Sequence, residues 1–366
     1  ERRAMQCAAT VSAPDTRLGQ PMIEVLIVDD SLVVRRILSR VLEQDARFRV
    51  AGAVASGAQA LEFVAHNRVD LVLLDIDMPG LDGLQVLPRL LDAGKRRQVV
   101  LISGSCSEGS EVALQALALG AGDVVAKPSA GHFSAQFVEH LLDRLVHLAP
   151  AIERSRTPEQ IDQANARLRP LGTLVRAVAI GASTGGISAI LSVIRGLEES
   201  ATFPIFITQH LPASFQPLLA EQLRRATRLP VVLAEQAMPV QPGTIHVAPG
   251  TAHLSLGKGP RGNVLIRLSN QRCLHGSYPA VDPMFTALAR HYGRGACGVI
   301  LSGMGRDGLA GAQAIVGAEG WMVAQDHQTS AVWGMPGSVV KGGLASAILP
   351  PAGIAELILR QWRAGA

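Results

Sequence analysis

Aromatic residues, cysteines and charged residues are all scarce in this chain of 366 residues, and each shortage excludes a class of protein. Aromatics make up only 4%, so Ala, Val, Leu and Ile must build the core. Charged residues make up 17% against 48% hydrophobic residues, a balance that excludes a mainly disordered chain. No uninterrupted apolar run approaches the ~18 residues that indicate a membrane-spanning helix. The composition therefore predicts a folded protein with an aliphatic core.

The four cysteines lie far apart, at positions 7, 106, 273 and 297, and form no CxxC pair. That spacing argues against a disulfide framework and against a zinc site, and it fits a reducing cytoplasm, where we expect this chain to act. Residues 1–21 lack the apolar core of a secretory signal, and Met22 opens the first strand-like run. We therefore expect residues 1–21 to be an N-terminal extension.

The formal net charge of +4 is unevenly distributed along the chain. Residues 22–145 carry 12 basic and 16 acidic residues, a net charge of −4. The rest of the chain carries 22 basic and 14 acidic residues, a net charge of +8. An acidic module is thus joined to a basic one, which suggests that the two have different functions.

Short apolar runs alternate with helical stretches over residues 22–145, and a second pattern of this kind covers residues 174–362. The runs are continuous rather than alternating, as strands buried on both faces require. Five such units in the first stretch predict an open parallel sheet with helices on both faces. Residues 146–173 between the two are charged and punctuated by proline, so we interpret them as a linker, partly helical around 160–168.

Five polar side chains stand at the predicted strand ends of the acidic half. Asp29 and Asp30 follow the first strand, Asp75 the third, Ser103 the fourth and Lys127 the fifth. Open α/β sheets bind ligands at the carboxyl ends of their strands. Three carboxylates gathered there would repel one another unless a hard cation such as Mg²⁺ lay among them. The alternative is that the Asp-Asp-Ser run merely caps the next helix, but the matching strand ends weigh against it.

Over residues 22–145 the sequence resembles the receiver domain of bacterial two-component response regulators. The marks are Val28-Asp29-Asp30-Ser31, the run Leu74 to Gly83, Ser103 and Lys127-Pro128. The resemblance implies a flavodoxin-like (βα)5 fold and phosphorylation of Asp75 by a histidine kinase. It also implies Mg²⁺ held by Asp29 or Asp30, by Asp75 and by the backbone carbonyl of Asp77, with Ser103 as the switch hydroxyl and Lys127 as the phosphate partner. Val124-Val125 depart from the family, in which many members carry a switch aromatic.

A second set of polar residues follows strands of the basic half. Residues 181–185 fit G-x-S-x-G, a strand-to-helix turn that exposes the hydroxyl of Ser183. A serine needs a base within hydrogen-bond reach, and His210 ends a neighbouring apolar strand. Asp307 ends a third strand, within a glycine-rich turn. Three strand ends on one sheet edge predict a Ser-His-Asp triad, in a chain order that differs from that of α/β-hydrolases.

Each of these residues also has a simpler interpretation. Ser183-Thr184 could cap a helix, and His210 could be a strand-end histidine. Residues 303–308 match G-x-G-x-x-G, and Asp326 follows at about the ribose-binding distance, so a dinucleotide site is a competing hypothesis. That motif lies late in the domain, however, and would leave Ser183 and His210 without a role.

Residues 174–360 resemble the catalytic domain of chemotaxis protein-glutamate methylesterases. The resemblance implies a doubly wound, mostly parallel, Rossmann-like hydrolase domain with Ser183 as nucleophile, His210 as base and Asp307 as the orienting acid. Thr184 and the backbone around Met304 would help to stabilise the oxyanion. The marks are Ala179 to Gly186, Gln209-His210-Leu211-Pro212, Ala248-Pro249-Gly250, Ala280-Val281-Asp282, Leu301 to Gly308 and Val332 to Pro336.

A receiver joined through a linker to this catalytic domain is the architecture of that family, so the resemblance covers nearly the whole chain. It implies hydrolysis of glutamate γ-methyl esters on chemotaxis receptors, with release of methanol, and hydrolysis of certain receptor glutamines. The implied partners are the receptors and a histidine kinase as phosphodonor. The receiver would need Mg²⁺ and the esterase no cofactor, with neither nucleic acid binding nor membrane insertion.

Two alternatives belong to other classes of protein. A DNA-binding response regulator would need a compact helix-turn-helix, which the output half does not show. A non-catalytic docking module would not need Ser183, His210 and Asp307 to be intact. Two stretches depart from the family's usual pattern and bear on receptor preference: Thr251-Ala252-His253 and Gly276-Ser277-Tyr278-Pro279.

Overall fold

The computed structural model describes residues 22–92, 97–104, 111–127, 134–148, 168–169, 171, 174–197, 201–271, 273 and 276–365, with the backbone alone at 103, 136, 140 and 147. The predicted extension 1–21, Pro128 and most of the linker 146–173, including most of its expected helix, lie outside the described residues. The predicted domain limits stay predictions, although the last receiver helix continues to Leu148, past the expected limit at 145.

The first domain is a parallel sheet of five strands in the order β2-β1-β3-β4-β5. Every residue of β3 is buried, as the continuous apolar run predicts. Helices α1 and α5 pack on one face of the sheet, and α2, α3 and α4 pack on the other. The elements are β1 (Ile23–Val28), α1 (Leu32–Glu43), β2 (Phe48–Val54), α2 (Gly57–His66), β3 (Leu71–Asp75), α3 (Gly83–Asp92), β4 (Gln98–Ser103), α4 (Glu111–Ala118), β5 (Asp123–Ala126) and α5 (Ala135–Leu148). The predicted flavodoxin-like arrangement is confirmed.

The second domain is a seven-stranded sheet in the order β14-β13-β12-β6-β7-β9-β8, with parallel pairing throughout its described strands. Its strands are β6 (Ala177–Ala182), β7 (Ile205–Gln209), β8 (Val231–Leu233), β9 (Ile245–Val247), β12 (Ala296–Ile300), β13 (Trp321–Gln325) and β14 (Ala347–Leu349). A separate antiparallel hairpin consists of β10 (His253–Lys258) and β11 (Val264–Ser269). The prediction of a doubly wound, mostly parallel fold is confirmed for this domain.

Helices cover both faces of this second sheet. One face carries α6 (Gly186–Gly196), α7 (Gln216–Ala226) and α11 (Pro351–Gly365). The other carries α8 (Val281–Tyr292), α9 (Leu309–Gly317), α10 (Gly334–Lys341) and the hairpin. None of the helices in the described ranges is both long and apolar enough to cross a membrane.

One glycine brings the start of α8 close to the centre of the sheet. A Cβ on Gly181, in β6, would lie 2.4 Å from Cγ1 of Val281, the first residue of α8. Only a residue without a side chain allows this approach. The close packing places the first backbone N–H groups of α8 beside the end of β6, where the candidate site lies.

The two domains meet along α4 of the first and α6 and α7 of the second. Buried side chains of α4 and α6 belong to the same hydrophobic cluster. At the edge of this contact, Arg225 Nη1 lies 3.8 Å from Glu111 Oε1, and both side chains are exposed. Such an exposed pair contributes only about 0–1 kcal/mol, so apolar packing dominates the contact.

Candidate active site and phosphorylation pocket

A cluster of carboxylates lies at the carboxyl edge of the receiver sheet. Asp29 and Asp30 directly follow β1, and Asp75 is the last residue of β3. Carboxylate oxygens of these three residues all lie within 4.8 Å of one another. Lys127, which follows β5, places its Nζ 2.8 Å from Asp29 Oδ2 and 2.8 Å from Asp75 Oδ2. The structure thus brings together the side chains expected to meet here, apart from Ser103, whose side chain is not described.

The start of α1 accounts for the Asp-Asp-Ser run. Ser31 is the N-cap residue, and its Oγ accepts the Val34 N–H at 3.4 Å. Asp29 Oδ1 accepts the Ser31 N–H at 2.9 Å, which leaves Oδ2 for Lys127. Arg35 Nη1 donates to the backbone carbonyls of Asp29 and Asp30 at 2.7 and 3.0 Å. The capping alternative is therefore true of the serine but does not account for the two aspartates.

Burial and neighbouring charges shift the pKa values of Asp75 and Lys127 in this pocket. Burial raises the pKa of Asp75 above its ordinary value, opposed by its hydrogen bond with Lys127 and reinforced by the charge of Asp29. Burial works against the charge of Lys127, but hydrogen bonds to the two carboxylates outweigh it and raise its pKa. Lys127 pairs with Asp29 and Asp75 but not with Asp30, and this cluster of carboxylate oxygens suits Mg²⁺, which prefers oxygen ligands. Asp77, two residues beyond Asp75, donates its N–H to Asp75 Oδ1 at 3.4 Å.

The second candidate site lies at the carboxyl edge of the larger sheet. Ala182, the last residue of β6, pairs with Gln209, the last residue of β7. Ser183 and His210 therefore leave adjacent strands side by side. Within the described part of the chain, Ser183 Oγ makes no hydrogen bond, so its expected contact with His210 is not formed. Catalytic hydrogen bonds are often long before substrate binds, so this observation does not remove Ser183 from the site.

Asp307 lies against His210, but it does not end a strand as we expected. Strand β12 ends at Ile300, and Asp307 stands in the following loop, just before α9. Its Oδ2 lies 2.7 Å from His210 Nε2. The His210 side chain is 15% exposed and that of Asp307 3%, so the pair faces solvent only through the imidazole. The His-Asp contact of the predicted triad is thus present, with Nδ1 of His210 left for another partner.

Three backbone N–H groups hold the Asp307 carboxylate. Oδ2 accepts the Val281 N–H at 2.7 Å, and Oδ1 accepts those of Asp282 and Gly308 at 3.1 and 2.9 Å. Two of these donors belong to the first turn of α8, where the helix dipole favours a negative charge. Burial alone would raise the pKa of Asp307, but hydrogen bonds with His210 and Val281 outweigh it and hold the pKa below its ordinary value.

The turn that carries Ser183 is held by its backbone. The Ser183 N–H donates to Ser302 O at 2.9 Å, and Ser183 O accepts the Gly186 N–H at 2.8 Å. The N-cap residue of α6 is Gly185, at φ 70°, and no side chain caps the helix. The alternative that Ser183-Thr184 serves as a helix cap is therefore wrong. A Cβ on Gly303 would lie 2.8 Å from Ser183 Cβ, so glycine is needed where the two turns meet.

The two residues expected to support the oxyanion lie on these same turns. The carbonyl of Thr184 accepts a hydrogen bond from Ser302 Oγ at 2.8 Å. Met304 directly follows Gly303, and its side chain is exposed. Because the Ser183 N–H is bound to a carbonyl, it cannot serve an oxyanion. Backbone donors near Thr184 and Met304 remain the candidates for that role.

Two residues that support the Ser183 turn, Ser302 and Gln325, were not predicted from the sequence. Ser302 is fully buried; its N–H donates to Gln325 Oε1 at 2.8 Å, and its Oγ accepts the Val332 N–H at 2.9 Å. Gln325 in turn donates to Thr329 O at 2.9 Å. The available signal was a polar residue directly after a buried apolar run, which Ser302 and Gln325 share with the residues that were identified.

The segment that suggested a dinucleotide site has another role here. Asp326 Oδ1 accepts the Thr329 N–H at 2.7 Å, which closes a local turn. The loop 303–308 carries Asp307 to His210 and to the start of α8. Its glycines at 305 and 308 have φ of 86° and 90°, a backbone that glycine adopts at low cost. The loop thus positions a carboxylate instead of forming a pyrophosphate cradle.

The two stretches that depart from the family pattern pack together beside α8. Tyr278 Oη lies 2.6 Å from Thr251 O, and the tyrosine ring meets the His253 ring edge-on at 4.7 Å. His253 Nδ1 accepts the Ala280 N–H at 2.8 Å, and its Nε2 lies 2.9 Å from Gln271 O. Both stretches therefore support Ala280, the residue directly before α8, and the first turn of α8 in turn holds the Asp307 carboxylate.

Comparison with known proteins covers both domains. A family model described as CheB methylesterase matches residues 178–358, and one described as response regulator receiver domain matches residues 25–134. A protein-glutamate methylesterase/protein-glutamine glutaminase 2 of Caulobacter vibrioides is 39% identical over 333 residues, covering 90% of this chain and 95% of that protein. A protein-glutamate methylesterase/protein-glutamine glutaminase of Nitrobacter hamburgensis is 37% identical over 372 residues, covering 96% and 97%.

A solved structure agrees with these matches. The crystal structure of the Thermotoga maritima CheB methylesterase catalytic domain aligns with a TM-score of 0.50 and 35% identity, covering 51% of this chain and 98% of that one. The two family models and the relatives matched over 95% and 97% of their length cover both units, and the solved structure matches the second unit. The chain therefore belongs to the CheB methylesterase family and carries a response regulator receiver domain before its catalytic domain.

Proposed function

We propose that this protein hydrolyses glutamate γ-methyl esters on chemotaxis-type receptors, releases methanol, and deamidates certain receptor glutamines. The observation that carries the proposal is the His210–Asp307 pair at 2.7 Å beside the Ser183 turn. In a chain of this family, that geometry supplies a nucleophile, a base and a buried acid at one sheet edge. The names of the relatives, protein-glutamate methylesterase/protein-glutamine glutaminase, support the same pair of reactions.

The proposed reaction follows the usual order of serine hydrolases. Ser183 Oγ attacks the ester carbonyl while His210 Nδ1 takes the hydroxyl proton, because Nε2 is directed at Asp307. The ester C–O bond breaks, and the proton passes to departing methoxide to give methanol. Water then attacks the acyl-enzyme, His210 again moves the proton, and the glutamate carboxylate leaves Ser183. With a glutamine substrate, ammonia leaves in place of methanol.

The oxyanion donors and Asp307 contribute to the rate in different ways. Donors near Thr184 and Met304 stabilise the oxyanion, and each typically contributes about 10²–10³ in rate. Asp307 keeps the proton of neutral His210 on Nε2 and favours the imidazolium that forms during attack. Because α8 donates two N–H groups to Asp307, the carboxylate stays charged and fixed while the imidazole changes protonation.

The receiver regulates this activity through Asp75, phosphorylated by a histidine kinase. Asp29, Asp30, Asp75 and the carbonyl of Asp77 are the proposed Mg²⁺ ligands, because a cluster of carboxylate oxygens suits this cation. The bound cation would offset negative charge on the phosphoryl group. Lys127, already paired with two of these carboxylates, is the proposed phosphate partner, and Ser103 is the proposed switch hydroxyl.

The contact between the domains gives phosphorylation a route to the active site. Val332 of the catalytic domain packs against the receiver core, and its backbone bonds with Ser302 and Gly303. The same loop therefore touches both the receiver and the support of the nucleophile turn. Phosphorylation adds about −1.5 to −2 charge beside buried carboxylates and shifts the balance toward a more open arrangement of the domains.

One assay tests this proposal against its alternatives. Methanol release from methylated receptor is measured with the full chain, with and without Mg²⁺ and a small phosphodonor. We expect release that rises on phosphorylation, no rise in Asp75→Asn, and no release by Ser183→Ala. No release by the wild type under any condition would favour a non-catalytic regulator. Near-normal turnover by Ser183→Ala would remove Ser183 from the mechanism.

Receptor recognition has its own test. The part of the chain outside residues 22–145 carries a net charge of +8, which suits an acidic receptor surface. Activity toward receptor should then fall with added salt much more than activity toward a small ester. Equal salt sensitivity of the two substrates would argue against electrostatic steering.

A further inference from the structure

One buried side chain of the catalytic domain joins the backbones of the proposed nucleophile and base. Gln209, the last residue of β7, is only 2% exposed. Its Nε2 donates to Ser183 O at 2.8 Å and approaches His210 O at 3.4 Å. A single amide thus ties the turn after β6 to the residue that follows β7.

The chemistry of its neighbours fixes the orientation of this amide. Both groups facing one end of the Gln209 amide are carbonyl oxygens, which accept and cannot donate, so the nitrogen must be at that end. The oxygen end, Oε1, is buried and has no hydrogen-bond partner among the described residues. It lies against the first turn of α6, where a Cβ on Gly186 would be 2.8 Å away.

The contact matters because it completes the restraint on Ser183. The Ser183 N–H is held by Ser302 O, and its carbonyl is held by the Gly186 N–H. Gln209 adds the only side-chain bond to the Ser183 backbone among the described residues, and it comes from the strand that carries His210. Without it, the turn would keep its backbone bonds to Ser302 and Gly186, and the His210 N–H would still donate to Ala182 O at 3.0 Å, but the side-chain link between Ser183 and the base would be lost.

We propose that Gln209 is a positioning residue that sets the approach of Ser183 Oγ to His210. The proposal rests on the roles given above to Ser183 and His210. Both hydrogen bonds of the Gln209 side chain go to backbone carbonyls, so it acts through the backbone of Ser183 and His210. Its loss should therefore lower the rate of attack by Ser183 and leave receptor binding unchanged.

The chain offers a matched control in Gln216, the first residue of α7. Gln216 is 1% exposed, and its Oε1 is also buried without a partner among the described residues. Its Nε2 donates to Gln209 O at 3.1 Å and to Leu211 O at 3.3 Å. It supports the end of the same strand through an equally buried amide but makes no bond to Ser183. Replacing it measures what a general loss of packing and hydrogen bonding does to activity.

The test compares Gln209→Met, Gln209→Asn and Gln216→Met in the full chain, phosphorylated in the presence of Mg²⁺. Methionine keeps the length without polar atoms, and asparagine keeps the amide but is one methylene too short to reach Ser183 O. Three readouts are taken for each variant: kcat and KM for methanol release, the rate of Ser183 labelling by a small organophosphonate, and the melting temperature. Turnover is expressed per folded molecule, so an unfolded fraction does not count as lost rate.

We expect both Gln209 variants to lose about 10²-fold in kcat and in labelling rate, with little change in KM, since small misplacements of reacting groups cost this much. Gln216→Met should melt at a similarly lowered temperature yet keep kcat within a few-fold. If Gln209→Met does not fold, Gln209→Asn decides alone. Equal kcat for the Gln209 and Gln216 variants would overturn the proposal. Full activity of Ser183→Ala would instead overturn the triad, so the two failures are distinguishable.

Discussion

The buried contacts of Asp307 lead to a specific expectation for Asp307→Asn. The carboxylate accepts on both oxygens: His210 Nε2 and Val281 N–H at Oδ2, Asp282 N–H and Gly308 N–H at Oδ1. An asparagine has one oxygen, so its NH₂ must face one of these sets. If the NH₂ group took the place of Oδ1, it would face two backbone donors, the Asp282 and Gly308 N–H groups. If it took the place of Oδ2, it would face only one backbone donor, the Val281 N–H. The amide nitrogen should therefore turn toward His210.

That orientation determines both the stability and the activity of the variant. The Val281 N–H would be buried without an acceptor, which costs about 1–3 kcal/mol of unfolding free energy. The asparagine N–H would require His210 Nε2 to accept, so the imidazole proton would move to Nδ1, the nitrogen that should take the proton of Ser183. A base held in the wrong tautomer lowers kcat by about 10⁴-fold.

The assay is methanol release by the phosphorylated full chain, combined with urea unfolding. The matched control is Asp326→Asn, since Asp326 follows the neighbouring strand β13 and its Oδ1 accepts the Thr329 N–H and Oγ1 at 2.7 and 3.1 Å. The asparagine of the Asp326→Asn variant keeps an oxygen for both Thr329 donors. We therefore expect its kcat to stay within about threefold of wild type, as for most substitutions away from a site. Asp307→Asn with kcat within about tenfold of wild type would refute the tautomer argument.

The pH dependence of stability provides an independent check on the charge of Asp307. A carboxyl whose pKa is lowered on folding stabilises the protein above its unfolded pKa of about 3.9, and that stability is lost as the pH falls through the folded value. The difference in unfolding free energy between wild type and Asp307→Asn should therefore shrink below about pH 4. A difference that stays constant from pH 7 to pH 3 would show that the charge is not what the site stabilises.

Three further substitutions test other parts of the molecule. Lys127→Met leaves two buried carboxylates without their cation and should cost about 3–5 kcal/mol in urea unfolding, a loss that Mg²⁺ should partly restore; no response to Mg²⁺ would contradict the proposed metal site. Gly303→Ala places a methyl group 2.8 Å from Ser183 Cβ and should lower kcat about 10²-fold while binding of receptor is retained; unchanged kcat would show that the turn can give way. Arg225→Ala removes two exposed ion pairs, one to Glu111 across the domain contact and one to Glu221 within α7, so a loss above about 2 kcal/mol in urea unfolding would show that the domain contact depends on it.

Much of the site could be predicted because its residues stand at the ends of buried parallel strands. Continuous apolar runs located the strands. Parallel pairing then places Asp29 and Asp75 at one edge of the first sheet, and Ser183 and His210 at the corresponding edge of the second sheet. The order of strands did not have to be known for this inference. The structure excludes the alternative that Ser183-Thr184 caps a helix, because the N-cap residue of α6 is Gly185.

Other features depend on contacts between parts of the chain that are distant in sequence. Asp307 reaches His210 from a loop beyond its strand because the start of α8 holds its carboxylate, and Gly181 allows that helix to approach. The roles of Gln209 and Ser302 rest on a few hydrogen bonds between their side chains and backbone groups of other segments. No periodicity or motif records such bonds, because the partner is chosen by tertiary packing.

The most direct test of the account is to identify the covalent intermediate. The phosphorylated full chain is mixed with methylated receptor, quenched in acid within the first turnover, digested and examined by mass spectrometry. We expect an acyl adduct on the peptide that contains Ser183, formed together with a burst of methanol that approaches one per enzyme molecule. Catalytically active enzyme with no adduct on Ser183, or with the acyl group on another residue, would contradict the account.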